Sequence, residues 1–255
     1  MTDSKSRGSR LVRRSLSVLT ALPIAGVRGW RLSDLAKYCA LDTGTTHRIL
    51  QDFLEHRLAL QHHSTRRYVL GPLASELAAS FPATAESALQ IRDSLKLLAQ
   101  ETGASAFYSV RSGGEFVVTQ TYGPKISRSV MELNGLRRPL VWTTSGVAIL
   151  LALPPRAREE AISLGFQQMA VYQRSRLKAC KQLVADSKKH KRAINIGVTV
   201  ALVNSYSVPI LRGAEPVASI TLIGHSERLP QKNAAKYFNL LDRAAATVSL
   251  EADFP

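Results

Sequence analysis

The sequence contains few of the residues that build covalent or metal sites. It has 2 cysteines, Cys39 and Cys180, which lie far apart and form no Cys-x-x-Cys pair. This usage fits a reducing compartment and excludes a multi-cysteine zinc site. The neighbouring His62 and His63 lack companion ligands for zinc. We therefore expect no metal and no other cofactor.

Long apolar runs are also missing. No stretch reaches the roughly 18 apolar residues that a membrane-spanning helix requires. The basic N-terminal flank is followed by an apolar run that Ser15, Ser17 and Thr20 interrupt, unlike the core of a secretory signal. We expect a cytoplasmic protein with no membrane partner and a short disordered tail at residues 1–9.

Motifs of enzymes are equally scarce. The sequence has no Ser-His-Asp order, no His-Glu-x-x-His and no phosphate-binding P-loop. Redox chemistry would need more cysteines than the chain has. We expect no enzymatic activity.

Positive charge is what the chain has in excess. Its 34 Lys and Arg against 19 Asp and Glu give a formal net charge of +15 over 255 residues. Such an excess favours a polyanionic partner, and the length fits one large or two modest domains. The basic run at 174–192 predicts a packed helix with a charged outer side, or alternatively a surface that attracts DNA.

The first 71 residues have the pattern of a winged helix-turn-helix. Apolar residues from Leu11 to Leu22 recur at helical spacing and end before Pro23. A second helix follows Arg31, with Ser33 as its predicted N-cap, and a third begins after Asp42, which is placed to cap it. Two short strand-like segments, 58–62 and 67–70, predict a small hairpin.

The third helix has two unlike faces. Ile49, Leu50 and Phe53 fall on one arc, and His47, Arg48 and Gln51 fall on the opposite arc. The ordinary interpretation is a solvated surface helix, and that of the basic wing is a charged turn. This helix is the third of a helical triplet, and that position favours a recognition helix whose N-terminal half lies at base edges. The candidate DNA contacts are Ser33, Thr43, Gly44, Thr45, Thr46, His47, Arg48 and Gln51, with Arg66 and Arg67 in the wing. Among them, we expect Thr46 to be semi-buried scaffold.

The pattern changes after a helical linker. A helix ends at Gly103, a strand pair turns at Gly113, a buried helix ends before Pro154, and another strand pair precedes a last helix. Antiparallel strands flanked by helices predict an α+β fold. At the start of the buried helix, Thr144 and Ser145 accompany free backbone N–H groups that suit an anion.

Two sets of motifs resemble the IclR family of bacterial transcription regulators. The first is Thr45-Thr46-His47-Arg48-Ile49-Leu50, closed later by Tyr68-Val69-Leu70-Gly71. The second comprises "GLRRPLVWTTSGVAILLALP" and "SYSVPIL" with "PVASITLIG". The resemblance covers residues 10–252. Asp42, Thr43 and Gly44 stand where relatives often have proline, lysine and serine, and Glu55-His56-Arg57 replaces their acidic-leucine-glycine turn.

The resemblance implies two functional domains joined by a linker. It implies a DNA-binding winged helix-turn-helix at 10–71, a linker helix at 72–83, and an effector-binding, oligomerising domain of GAF/PAS-like fold at 84–255. In the linker, the break at Phe81 and Pro82 is a candidate hinge or, alternatively, only the end of a helix. The implied effector is an organic or aromatic acid. The candidate effector-binding residues are Trp142, Thr144, Ser145, Asn195, Ser205, Thr221 and Ile223.

These expectations combine into a sequence-specific transcriptional regulator. Its implied partners are a double-stranded DNA operator, a small-molecule effector and further copies of itself, as a homodimer or homotetramer. It would act as repressor or activator and associate with the nucleoid when bound to DNA. Two alternatives remain: a non-specific nucleoid-type DNA-binding protein and an enzyme on a GAF-like fold.

Overall fold

The fold was obtained as a computed structural model. It describes residues 3–79, 85–124, 135, 137–172 and 174–249. The chain divides into two compact units, residues 1–84 and 85–255. The candidate hinge at Phe81 and Pro82 lies outside the described residues.

The N-terminal unit has the predicted order of three helices and a hairpin. Its elements are α1 (Asp3–Ala21), α2 (Leu32–Tyr38), α3 (Thr43–Glu55), β1 (Ala59–Gln61), β2 (Tyr68–Leu70) and α4 (Leu73–Ala79), with a 3-10 segment (Leu22–Arg28) after α1. β1 and β2 pair antiparallel.

Two details at helix starts differ from the sequence-based expectation. The helix α1 begins at Asp3, within residues 1–9, for which the sequence predicts a short tail. Ser33 is not an N-cap, because Arg31 is the last extended residue before α2 and Ser33 already lies inside the helix.

The core of the N-terminal unit is built from the inner faces of its helices. Its fully buried side chains include Val18, Leu22, Leu35 and Leu50. Burying a side chain of this size contributes roughly 1.5–3 kcal/mol. The Trp30 indole N–H donates to the carbonyl of Ala21 at 2.8 Å, and the backbone of Trp30 pairs with Tyr68. The hairpin is therefore fixed to the end of α1.

The start of α3 is capped by a carboxylate. Asp42 has extended backbone angles, and its side chain accepts from the Thr45 N–H at 2.7 Å and from the Thr45 hydroxyl at 2.7 Å. These two bonds, that from the N–H foremost, lower the pKa of Asp42 below its ordinary value. The predicted cap is confirmed.

The turn after α3 is locked to the start of α4. Arg57 has a left-handed φ of 60°, and its carbonyl accepts from the Leu73 N–H at 3.1 Å. The Arg57 guanidinium also pairs with Glu76 of α4. Gly71 packs directly on this turn, since a Cβ added there would lie 2.2 Å from the Arg57 carbonyl oxygen.

The C-terminal unit is a six-stranded antiparallel sheet between helices. The elements are α5 (Ala85–Thr102), β3 (Ser105–Ser112), β4 (Glu115–Tyr122), β5 (Arg137–Pro139), α6 (Thr144–Ala152), α7 (Pro155–Tyr172), α8 (Leu177–His190), β6 (Ala193–Ile196), β7 (Val203–Arg212), β8 (Glu215–His225) and α9 (Ala234–Ser249). The strand order is β5-β4-β3-β8-β7-β6. The predicted α+β fold is confirmed.

The two faces of this sheet carry different cores. One face contributes Tyr206, Val208, Ile220 and Leu222, which pack with apolar residues of α5 and α9. The other face contributes Phe107 and Phe116, which pack with apolar residues of α6, α7 and α8. Because side chains alternate along a strand, the residues next to Tyr206 and Ile220 in the sequence must face α6.

The basic segment follows its simpler interpretation. In α8, Cys180, Leu183, Val184 and Ser187 are buried, and the lysines of that helix are exposed. Within the described ranges, no helix is both long and apolar enough to cross a membrane.

Replacing Gly71 by alanine tests the close packing between the turn after α3 and the start of α4. We expect Gly71→Ala to lower the free energy of unfolding of the N-terminal unit by about 1–3 kcal/mol, because the new Cβ displaces backbone. Gly114→Ala is the control, since a Cβ there meets nothing within 4 Å. Thermal unfolding by circular dichroism measures both, and equal midpoints would contradict the close packing.

Removing the Asp42 carboxylate tests the cap. Asp42→Ala should lower the unfolding midpoint of the N-terminal unit by roughly a few degrees, and Asp42→Asn by less, because the amide keeps one acceptor. Asp52→Ala, on the exposed side of α3, is the charge-matched control.

The cap should also depend on pH. The folded pKa of Asp42 lies below its ordinary value of 3.8, so the stabilisation is complete above that value and is lost as the pH falls through the folded pKa. The difference in unfolding midpoint between wild type and Asp42→Ala should stay constant above pH ~5 and shrink below pH ~4. A difference that persists unchanged at pH ~2 would contradict capping by the ionised carboxylate.

Candidate functional site

The polar face of α3 is open to solvent. Thr43, Gly44, His47, Arg48 and Gln51 are all exposed, whereas Ile49, Leu50 and Phe53 are buried on the opposite side. The Gln51 amide nitrogen lies 3.2 Å from Nε2 of His47, one helical turn away. Hydrogen-bonding groups and a cation thus project from one side of a helix held by its apolar side.

The two consecutive threonines of α3 are used inside the protein. The Thr45 hydroxyl donates to the Asp42 carboxylate, and the Thr46 hydroxyl donates to the Asp42 carbonyl at 2.9 Å. Thr46 is 0% exposed. It was among the candidate DNA contacts, and that assignment is wrong for the folded domain, since its side chain faces the core. Its expected scaffold role agrees with this position.

The two wing arginines differ in environment. Arg66 is exposed at a left-handed φ of 56°, within the turn between β1 and β2. Arg67 is half-buried and donates to the Gly29 carbonyl at 2.9 Å, so it braces the wing against the loop before α2. Ser33 is exposed on α2. Of this group, Arg66 and Ser33 are the side chains free to approach a ligand from outside.

The start of α6 lies against a cluster of buried hydroxyl groups on the sheet. The Thr144 hydroxyl lies 2.5 Å from that of Ser205, and the Ser145 hydroxyl lies 2.7 Å from that of Thr221. Ser207 joins the second pair, 2.8 Å from Thr221. All five are 1–4% exposed. We call these five residues the hydroxyl cluster.

The strand register shows that this polar surface extends beyond the cluster. Ser207 pairs with Thr221, and two residues earlier in β8, Ser219 pairs with Ser109 of β3. Ser109 and Ser219 therefore face the same side as the cluster, because both positions keep the two-residue period. Both are 0% exposed, and neither hydroxyl has a hydrogen-bond partner within the described ranges.

The remaining predicted effector residues have structural contacts of their own. Asn195 is buried, donates to the Val203 carbonyl at 3.1 Å and accepts from the Thr199 N–H at 3.1 Å. Its amide therefore holds the turn between β6 and β7. Asn195, Ser205 and Ile223 lie side by side across three strands, and Ile223 packs with the α6 core.

Trp142 lies just before α6 and is enclosed by cations. The guanidinium groups of Arg138 and Arg176 lie 5.2 and 5.7 Å from the centre of its ring. Its carbonyl oxygen lies 3.5 Å from the Cys180 thiol, whose pKa burial raises to about 11. That thiol is therefore protonated at neutral pH, and nucleophilic chemistry at Cys180 is disfavoured.

Several residues of this region were missed in the sequence. They are Ser109, Ser207, Ser219, Arg138 and Arg176. A usable signal was present for two of them, because Ser207 and Ser219 alternate with apolar residues in "SYSVP" and "ASIT". The described ranges contain no group of three His, Cys, Asp or Glu side chains placed to hold a metal ion.

Comparison with known proteins agrees with this geometry. The family model described as "IclR helix-turn-helix domain" matches residues 11–63. A glycerol operon regulatory protein of Streptomyces griseus is 28% identical over 158 residues, which cover 62% of this chain and 61% of that protein. The chain thus matches less than two thirds of that relative's length.

Two solved structures show the same fold along nearly the whole chain. An IclR-family transcriptional regulator from Brucella abortus has a TM-score of 0.72 at 18% identity, covering 94% of this chain and 91% of that one. An IclR homologue from Microbacterium hydrocarbonoxydans, solved with 4-hydroxybenzoate, has a TM-score of 0.65 at 17% identity, covering 94% and 98%. Residues 11–63 thus match the IclR helix-turn-helix domain, and the chain has the fold of the solved IclR-family transcriptional regulators.

Proposed function

We propose that the protein is a sequence-specific transcriptional regulator that binds an operator through α3 and changes its affinity when an organic acid binds beside α6. The observation that carries this proposal is the division of α3 into a buried apolar face and an exposed face bearing His47, Arg48 and Gln51. The match of residues 11–63 to a DNA-binding domain supports it.

The exposed face of α3 has the chemistry that reads base edges. Arginine donates two hydrogen bonds to guanine, and glutamine pairs with adenine. Arg66, in the wing, is placed to approach phosphate or the minor groove, because its side chain is exposed and the turn holds its backbone. Ser33, Thr43 and Gly44 complete the proposed contact surface. Thr45 adds its methyl group, since its hydroxyl is already bonded to Asp42.

The start of α6 is the proposed effector site. Free N–H groups and the positive end of the helix dipole favour an anion there. The hydroxyl cluster offers donors and acceptors at the same place, and the unpaired hydroxyls of Ser109 and Ser219 could be satisfied by a bound molecule. The Microbacterium relative carries 4-hydroxybenzoate, which is an aromatic acid. We propose an organic or aromatic acid as the effector here.

Electrostatics around Trp142 support the same class of ligand. Arg138 and Arg176 place two positive charges over the Trp142 ring. Trp142 itself lies one residue before the N-cap of α6. Cations at this point raise the local concentration of carboxylates. The indole ring is half-buried and offers an apolar surface for an aromatic effector.

Regulation requires the two sites to be coupled. In the N-terminal unit, α4 is held to the turn that ends α3 by the Leu73–Arg57 hydrogen bond and by the pair of Arg57 with Glu76. We propose that a displacement of α4 is transmitted to α3 through these contacts. An effector would then act by its different affinity for the two arrangements.

We further propose that the protein self-associates and acts in the cytoplasm. Helix-turn-helix proteins bind paired half-sites about one helical turn apart or at multiples of that spacing. A dimer or tetramer of this chain would supply the two copies of α3. The exposed Leu11, Val12 and Leu16 of α1 offer apolar surface for such contacts.

A non-specific nucleoid-type protein is the second candidate. The net charge of +15 and the exposed Lys178, Lys181 and Lys189 of α8 favour it. Mobility-shift assays with the DNA that flanks the gene, with competitor DNA and at stated salt, separate the two. A sharp band that resists competitor supports a regulator, and uniform shifting of all DNA supports the nucleoid-type protein.

Arg48→Ala tests the reading face. We expect operator affinity to fall by about 1–3 kcal/mol, because a guanidinium that contacts a base edge or a phosphate is lost. Arg92→Ala in α5 is the charge-matched control, with its side chain 59% exposed. Titrations by mobility shift measure both variants. Unchanged operator affinity in Arg48→Ala would show that Arg48 reads nothing.

A thermal-shift series tests the effector site. Benzoate, 4-hydroxybenzoate and pyruvate are the probes, and an acid at a hundredfold excess over its Kd should stabilise the fold by ~2.7 kcal/mol. Thr144→Val should reduce the shift, and Thr119→Val, which alters an exposed strand residue, should preserve it. The absence of any shift from all three probes counts against an organic-acid site.

A further inference from the structure

Two arginines lie beside the ring of Trp142, just before the start of α6. The Arg138 guanidinium lies 5.2 Å from the centre of the ring, and that of Arg176 lies 5.7 Å from it. All three residues are half-buried. They come from separate elements, because Arg138 belongs to β5, Trp142 precedes α6 and Arg176 is the N-cap of α8. The fold therefore gathers two positive charges at one point of the C-terminal unit.

Arg176 has no carboxylate partner among the residues that the structure describes. Arg137 of the same unit, in contrast, pairs with Glu115 at 3.2 Å. The contact of Arg176 with Trp142 uses the face of the indole ring, so the guanidinium N–H groups stay available as donors. A half-buried cation with unused donors is the group that binds a carboxylate most strongly.

Arg138 adds a second charge that is already held in place. Its guanidinium donates to the carbonyl of the preceding Arg137 at 2.8 Å, which restricts the side chain before any ligand arrives. The guanidinium groups of Arg138 and Arg176 repel each other across the ring of Trp142. An anion bound beside both of them replaces this repulsion by two attractions.

The adjacent start of α6 lacks a side-chain cap. Thr143 follows Trp142 and is the N-cap residue, yet its side chain makes no capping hydrogen bond. Its hydroxyl oxygen is buried and has no partner within the described part of the chain. A threonine at this position usually accepts from an N–H of the first turn, so an acceptor is missing here. A bound carboxylate would serve as that acceptor and could also take the Thr143 hydroxyl proton in a hydrogen bond.

We infer that the effector is a dicarboxylate, with one carboxylate at the start of α6 and the second bound by Arg176 and Arg138 beside Trp142. The inference rests on the proposed function, since it assumes that an acid binds at α6. It goes further in that it requires a second negative charge on the effector. It also assigns to Arg176 the selection of dicarboxylates over monocarboxylates.

The test compares each diacid with its own monomethyl ester by calorimetric titration of the full-length chain. Succinate, glutarate, isophthalate and terephthalate are the probes, because they differ in the separation of their carboxylates. The ester keeps the shape of the diacid and removes one charge. At least one diacid should bind the wild type about tenfold or more tightly than its ester, since a hydrogen bond to a charged group is lost in the ester.

Substitution of Arg176 identifies the group that binds the second carboxylate. Arg176→Gln should bring the affinities of that diacid and its ester to within about twofold of each other. Arg176→Lys keeps the charge without the planar fork and should retain a ratio of about threefold or more. Arg174→Gln removes the same charge from an exposed side chain two residues earlier, and it should keep the ratio within about twofold of wild type. Unfolding midpoints show that each variant is folded at the temperature of the titration.

The outcomes separate the inference from the function on which it rests. If monomethyl esters bind and no diacid binds more tightly than its ester, the inference is overturned while an acid site remains. A ratio unchanged in Arg176→Gln also overturns it, and so does an equal loss in Arg174→Gln, which would mean that only long-range attraction acts. A wild-type chain that binds neither diacids nor esters overturns the proposed effector site, and the inference falls with it.

Discussion

Polar groups at the start of a helix must find hydrogen-bond partners, and this requirement organises both candidate functional regions of the chain. An unpaired buried donor or acceptor costs roughly 1–3 kcal/mol, which is a large part of a domain's stability. At the start of α3, Asp42 accepts from Thr45 and Thr46 donates to the Asp42 carbonyl. At the start of α6, the hydroxyls of Thr144 and Ser145 bond to those of β7 and β8. Each helix is thus positioned by hydroxyl groups at its first turn.

The two helix starts differ in what is left over. At α3 the hydroxyls are consumed inside the domain, so the larger side chains of His47, Arg48 and Gln51 provide the outward chemistry. At α6 the polar groups are themselves buried, and Ser109 and Ser219 remain without partners within the described ranges. The first arrangement suits a large external partner such as a nucleic acid. The second suits a small molecule that supplies the missing hydrogen bonds.

Periodicity made the fold and the outward face of α3 predictable, because a helix or strand buries residues at fixed spacing. Asp42 as a cap could also be predicted, since capping is local. Long-range contacts could not. Arg67 reads in the sequence as a free wing cation, but the fold brings Gly29 to it, 38 positions away. The register that places Ser109 beside Ser219 joins strands distant in sequence, and no local pattern specifies it.

The turn after α3 shows how the fold accommodates a left-handed residue that is not glycine. Arg57 adopts a left-handed φ of 60°, a conformation that glycine reaches without steric cost. Arg57 instead contributes a side chain that pairs with Glu76, while its carbonyl accepts from Leu73. An ion pair between side chains this exposed contributes at most ~1 kcal/mol, whereas a left-handed residue other than glycine carries a strain of roughly 1–3 kcal/mol. The ion pair thus offsets part of that strain, and the main effect of an arginine at this position is to tie α4 to the end of α3.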